Sequence, residues 1–224
     1  MKRKLGLEGR TTILTAGLLG PGKGIETLLQ ALPEIVRQVP NVLYILLGAT
    51  HPNLVHTHGE TYRDRLKRQV CHLNLEQHVL FHNAFVSQTQ LCEYLAGADF
   101  YVTPYPKAEQ VTSGTLAYAV GAGCTVVSTP YWHAQELLAD GCGCLVPTFS
   151  DASALAKAII ALVKDPIACQ RMRCRAYRAG RKMIWPVVGQ AYQELFSDVK
   201  GGIATPTVFS SLAPLDQHAA ALVS

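Results

Sequence analysis

The chain has 224 residues, of which 49% are apolar and 16% charged, with a formal net charge of +4 at neutral pH. At about 150 residues per domain that length predicts one large domain with appendages, and the composition excludes a disordered chain. The longest apolar-rich stretch, Leu116 to Val127, falls short of the roughly 18 residues that span a bilayer. The basic start Met1-Lys2-Arg3-Lys4 leads into no apolar signal segment, so a cytoplasmic protein is expected.

In chain order, apolar runs rich in β-branched residues predict strands at Thr12 to Ala16, Val42 to Leu47, Val79 to Phe81, Phe100 to Thr103, Thr125 to Ser128 and Cys144 to Val146. Helical spacing of Ile25, Leu28, Leu29, Leu32, Ile35 and Val36 predicts a helix after the first strand. Leu155, Ile159, Leu162 and Val163 predict another, capped by Ser150 or Asp151. A helix from about Pro166 and a last one from Trp185-Pro186 to Phe196 follow. Strands alternating with helices give an α/β fold: a single doubly wound parallel sheet with C-terminal helices. The period is lost from Gly201 onward, and residues 199–224 read as a loosely ordered tail.

Seven scattered cysteines, an odd number, fit reduced structural thiols better than a disulfide framework. Arg171, Arg173, Arg175, Arg178, Arg181 and Lys182 place six positive charges in a dozen residues without an acid, so the rest of the chain is slightly negative. Arg171, Arg175, Arg178 and Lys182 share one helix face. Two readings stay open for it, a solvated face and peripheral contact with an anionic membrane or acceptor. No basic stripe is interleaved with stacking aromatics, which argues against nucleic acid.

Two turns carry the chemistry. Gly17-Leu18-Leu19-Gly20-Pro21-Gly22-Lys23-Gly24 joins the first strand to its helix, offering backbone N–H groups and an ammonium to an anion. It meets most of the spacing of a P-loop, but Gly24 stands where a magnesium-binding Ser or Thr is required. Between the fourth and fifth strands, Ser113-Gly114-Thr115 opens a helix whose free N–H groups, hydroxyls and dipole favour a diphosphate. Ligands of open parallel sheets bind beyond the carboxyl ends of the strands, where both turns lie. His51, His56 and His58 fall in one loop without metal-ligand spacing. His133 could face a ligand or pack in an aromatic cluster.

The pieces Gly17 to Gly24, Ala98-Asp99 before Thr103-Pro104-Tyr105, Gly121-Ala122-Gly123, Glu136-Leu137 and Gly143 to Pro147 resemble the C-terminal, donor-binding domain of family 4 (group 1) retaining glycosyltransferases of the GT-B fold. The resemblance covers about residues 5 to 198, with residues 1–10 similar to the interdomain connector and 11–198 to the Rossmann-like nucleotide-sugar domain. It implies a nucleotide diphosphate sugar as co-substrate, held through its phosphates by Gly17, Lys23, Gly24, Ser113, Gly114, Thr115 and Leu116, with no metal or other cofactor. It implies a separate N-terminal acceptor domain as partner. The family's phosphate-pairing Arg falls at Leu18, and the two Glu of its Glu-x7-Glu motif fall at Gln110 and Tyr118, with Glu109 one residue earlier. Lys23 and Gln110 become the catalytic candidates, and Glu109, Gln110 and Tyr118 those for ribose or sugar. Gln110 and Tyr118 carry no charge at neutral pH. A non-catalytic nucleotide-sugar module, a truncated inactive one and a P-loop-like NTPase remain as alternatives.

Overall fold

A computed structural model describes residues 1–200, in two units: residues 1–181, and a second unit beginning at Lys182. In the first, β1 (Thr11–Ala16), β2 (Val42–Leu47), β3 (Val79–His82), β4 (Phe100–Thr103), β5 (Thr125–Ser128) and β6 (Cys144–Leu145) form one parallel sheet in the order β3-β2-β1-β4-β5-β6. All six strands stand where the sequence predicts them, with β1 and β3 one residue longer and β6 one residue shorter. Alternate residues along each strand enter opposite cores. Ile13, Tyr44, Leu46, Val102 and Val127 face one side, with Leu28 and Leu32 of α1 (Ile25–Gln38) and Leu155 and Ile159 of α7 (Ala152–Lys164). Leu14, Ile45, Tyr101 and Val126 face the other, with Leu116 of α5 (Gly114–Gly121) and Ala176 of α8 (Pro166–Gly180). Burial on both faces is why β1, β2, β4 and β5 read as near-continuous apolar runs.

The order reverses between β1 and β4: β2 and β3 lie on one side of β1, β4 to β6 on the other. Such a switch point leaves a crevice at the carboxyl ends. At the opposite end the N-terminal segment is tied down. Lys2 Nζ, the Thr12 amide and Thr12 Oγ1 all donate to Asp99 Oδ2, at 2.6, 2.7 and 3.0 Å.

Three helices lie where no helical period was expected: α3 (Thr61–His72), α4 (Gln88–Gly97) and the short α6 (Trp132–Leu137). The histidine loop is a helix too, α2 (Pro52–His58), started by Pro52 and capped by His51 Nδ1, which accepts from the Asn53 amide at 3.2 Å. Asp151 is the cap of α7, its Oδ1 accepting from the Ala154 amide at 2.8 Å. None of the seven cysteines is joined in a disulfide among the described residues. The second unit contains α9 (Trp185–Lys200), which exposes Trp185, Tyr192 and Phe196. Of the expected tail, Val199 and Lys200 close α9, and residues 201–224 lie outside the described part. Among the described residues no helix is long and apolar enough to cross a membrane.

Candidate functional site

Both glycine-bearing turns sit at the carboxyl edge of the sheet, and they meet. A methyl group placed on Gly17 would lie 3.6 Å from Thr115 Cγ2 and 3.7 Å from Lys23 Nζ. Two constraints fix the first turn. Gly48, beyond β2, has a φ of +147°, and a β carbon there would stand 2.0 Å from the Gly17 carbonyl oxygen. Gly24 has a φ of +62°, and its β carbon would stand 1.9 Å from the Pro104 carbonyl oxygen. Only glycine allows these backbone approaches. The second constraint removes the P-loop alternative, because a position with no room for a β carbon cannot present a metal-binding hydroxyl.

The amides of the first turn are largely used by the fold itself. Those of Gly17, Lys23 and Gly24 donate to the carbonyls of Leu47, Gly20 and Pro21 at 2.9, 2.9 and 3.2 Å, since Pro21–Lys23 closes as a 3₁₀ turn. The turn therefore offers an anion the Lys23 ammonium and the amides of Leu18, Gly20 and Gly22, which have no acceptor among the described residues.

The second turn keeps its amides open where α5 begins. Ser113 is the cap, its Oγ accepting from the Leu116 amide at 3.4 Å, so Leu116 holds the helix end. The Ser113 amide donates to His133 Nδ1 at 2.9 Å. Gly114 and Thr115, at the first two helical positions, have no acceptor for theirs among the described residues. His133 thus works through Ser113, and burial pulls its pKa below the usual imidazole value, favouring the neutral ring that can accept. The loop before α5 is clamped to α6, with the amides of Trp132 and His133 donating to the carbonyls of Ala108 and Gln110 at 3.0 and 3.3 Å.

Polar atoms without partners concentrate here. Among the described residues, three buried side-chain polar atoms lack one: Arg63 Nη1, Tyr101 OH and Thr115 Oγ1. The Tyr101 hydroxyl lies beside the Thr115 side chain and the backbone of Ala16, the residue before Gly17, and burial drives its pKa well above the usual phenol value.

Glu109 and Gln110 line a cavity of about 420 Å³ together with Pro21, Gly22, Tyr105, Pro106 and Lys107. Gln110 Nε2 donates to the Thr112 carbonyl at 2.6 Å, which shapes the loop. Tyr118, one helical turn beyond Gly114, is 42% exposed and is not among the residues lining that cavity.

Sequence reasoning missed two supports. Tyr105 follows the Pro104 that packs on Gly24, and its hydroxyl receives a hydrogen bond from Lys23 Nζ at 2.5 Å. Arg63 of α3 is 1% exposed. Its Nη2 donates to the Gly48 carbonyl at 2.8 Å, and its Nε contacts Thr50 Oγ1 at 3.2 Å and Glu60 Oε2 at 3.3 Å, so it braces the residue against which Gly17 lies. Tyr105 stands in the sequence only as the end of Thr103-Pro104-Tyr105, with no role attached to it, and Arg63 reads as one more charge in a polar segment. Metal-ligand clustering is absent among the described residues, the histidines of α2 included.

The basic run is partly accounted for by the fold. Arg173 Nε and Arg181 Nη2 donate to the carbonyls of Gly123 and Gly121 at 3.1 and 2.9 Å, where α5 ends, and Arg175 Nη1 to that of Asp140 at 3.4 Å. Arg171 and Arg178 stay exposed.

A family model described as "Glycosyl transferases group 1" matches residues 1–179. The chain is 28% identical over 207 residues to the phosphatidyl-myo-inositol mannosyltransferase of Mycobacterium tuberculosis, covering 91% of this chain and 51% of that protein. It is 27% identical over 171 residues to a GDP-mannose-dependent alpha-(1-6)-phosphatidylinositol monomannoside mannosyltransferase of Mycolicibacterium smegmatis, covering 74% and 42%. It thus spans about half the length of the curated relatives it matches. Among solved structures, HepE of Anabaena in complex with UDP shares the fold with a TM-score of 0.75 at 23% identity, over 88% of this chain and 51% of that one. The C-terminal domain of a group 1 glycosyl transferase from Francisella tularensis does so with a TM-score of 0.67 at 16% identity, over 79% and 87%.

Proposed function

The chain belongs to the group 1 glycosyl transferases, and on that premise we propose that it is a donor-binding half that holds a nucleotide diphosphate sugar for transfer with retention of configuration. One observation carries this reading. Lys23, the Gly17 turn and the open amino end of α5 converge on one point at the switch of the sheet, which is where a parallel α/β sheet receives a ligand. Lys23 and the amides of Gly114 and Thr115 stabilise the departing diphosphate as negative charge grows on it. Those groups supply the positive field that the reaction needs, so the reading calls for no metal ion. Glu109 and Gln110 border the cavity beside the Gly22 turn and contact the sugar. An acceptor-type N-terminal domain completes the enzyme, as the half-length match to the relatives suggests. Two of those relatives are named for phosphatidylinositol acceptors, and the exposed Arg171 and Arg178 favour peripheral contact with anionic lipid.

Calorimetry with UDP and GDP, and with their sugars, tests the donor site. Binding of one family is expected, with Lys23→Met weakening it by about tenfold or more, the worth of a charge-assisted hydrogen bond. A chain that binds neither nucleotide refutes the proposal. A second reading, a nucleotide-sugar module without catalysis, is favoured by Gln110 and Tyr118 at the two glutamate positions. It predicts binding without turnover even when an acceptor-type domain is added.

A further inference from the structure

A tyrosine stands between the two turns. Tyr105 is 2% exposed, and its ring stacks on Tyr131 with centroids 4.7 Å apart and planes 18° apart. Its carbonyl is held by Thr129 Oγ1 at 2.7 Å. The side chain is therefore fixed, and so is its hydroxyl, 2.5 Å from Lys23 Nζ and 3.3 Å from Ser113 Oγ.

The direction of these bonds is settled at one end. An ammonium has three donors and no acceptor, so the phenol oxygen accepts from Lys23 and keeps its own hydrogen to give. At the other end the contact with Ser113 is long for a bond between hydroxyls, and Ser113 Oγ already accepts from the Leu116 amide. Lys23 makes no ion pair among the described residues, and its uncompensated charge polarises the phenol toward any anion arriving between the turns. The same side chain also borders the cavity shared with Gly22 and Gln110.

We propose that the Tyr105 hydroxyl is a further donor to the diphosphate, placed midway between the Lys23 ammonium and the amino end of α5. It binds the phosphates through its own O–H and holds Lys23 at the working distance. This inference rests on the nucleotide-sugar reading of the site.

Tyr105→Phe keeps the stacked ring and removes one oxygen. Calorimetry with UDP or GDP, whichever the wild type binds, should show affinity reduced about tenfold, the worth of one hydrogen bond to a charged group, with the melting temperature within about 2 °C of wild type. Inorganic pyrophosphate, used to displace the nucleotide, should lose affinity by the same factor, because the contact is to the phosphates. In a Lys23→Met background the added Tyr105→Phe change should cost less than about twofold, since the phenol is polarised by that lysine. A structural role alone would lower the melting temperature and leave pyrophosphate untouched. Wild-type binding with Tyr105→Phe equally tight, or a loss confined to the nucleoside, overturns this inference alone. A wild type that binds neither nucleotide overturns the nucleotide-sugar reading with it.

Discussion

Alanine at Gly24 tests whether backbone packing, rather than loop flexibility, sets the first turn. The conformation there is left-handed, with a φ of +62°, and the new β carbon would stand 1.9 Å from the Pro104 oxygen and 2.9 Å from its carbon. The left-handed conformation costs a non-glycine residue about 1–2 kcal/mol. Narrowing the unfolded ensemble returns about 0.4–1 kcal/mol. Relieving the contact means parting turn and loop by more than an ångström, and forced expansion of packed structure costs about 1–3 kcal/mol. The balance is about 3 kcal/mol, or a fall of roughly 6–12 °C in melting temperature for a domain of this size. Lys23 precedes Gly24 and Tyr105 follows Pro104, so the same movement separates their hydrogen bond and nucleotide affinity falls with stability. Gly22→Ala is the control. Its β carbon meets nothing within 4 Å, and stability should stay within about 0.5 kcal/mol. Urea unfolding and calorimetry on both variants decide the matter, and a Gly24→Ala protein within about 1 kcal/mol of wild type and equally able to bind UDP or GDP refutes the reasoning.

Arg63→Ala strands the Gly48 carbonyl, Thr50 and Glu60, whose carboxyl is held below the usual range chiefly by its bond to Thr50. Leaving the Gly48 carbonyl and Thr50 without this buried partner should cost about 1–3 kcal/mol by chemical denaturation, and no measurable cost would mean the guanidinium braces nothing. His133 has a folded pKa below its unfolded value of about 6.5, mainly through burial, with Glu136 opposing. Stability from this group is therefore complete above that value and is lost as pH falls through the lower, folded one. His133→Gln should flatten the wild-type decline between about pH 7 and 5, and parallel stability profiles would count against it. Arg181→Ala, which uncaps the Gly121 carbonyl, should cost about 1 kcal/mol. Arg171→Gln with Arg178→Gln should leave stability unchanged and weaken sedimentation with anionic vesicles, and vesicle binding that ignores the pair would assign lipid contact elsewhere.

The sheet was legible because its central strands are buried on both faces, so Val42 to Leu47 or Phe100 to Thr103 could hardly be anything else. Helix α3 was hidden for the opposite reason. Its buried face is Tyr62, Arg63, Leu66 and Val70, and the charged Arg63 interrupts the apolar period that would announce it. The two anion-seeking turns were visible as glycines before helices, and their meeting followed from the parallel topology. Which amides stay available was not visible, since that depends on how Pro21–Lys23 closes and on His133 reaching Ser113 from the far side of β5. The bond from Lys23 to Tyr105 was not visible either, because the two lie 82 positions apart.

That separation bears on how the protein comes to be folded. The central pair β1 and β4 is joined across 87 positions, as in the bond from Thr12 to Asp99, and closing so long a loop is an entropic cost met before any local contact in the site exists. A partly formed chain, with β1 to β3 assembled alone, would have Lys23 but nothing opposite it. Nucleotide would then recognise only the finished molecule, slowing its unfolding without hastening its assembly.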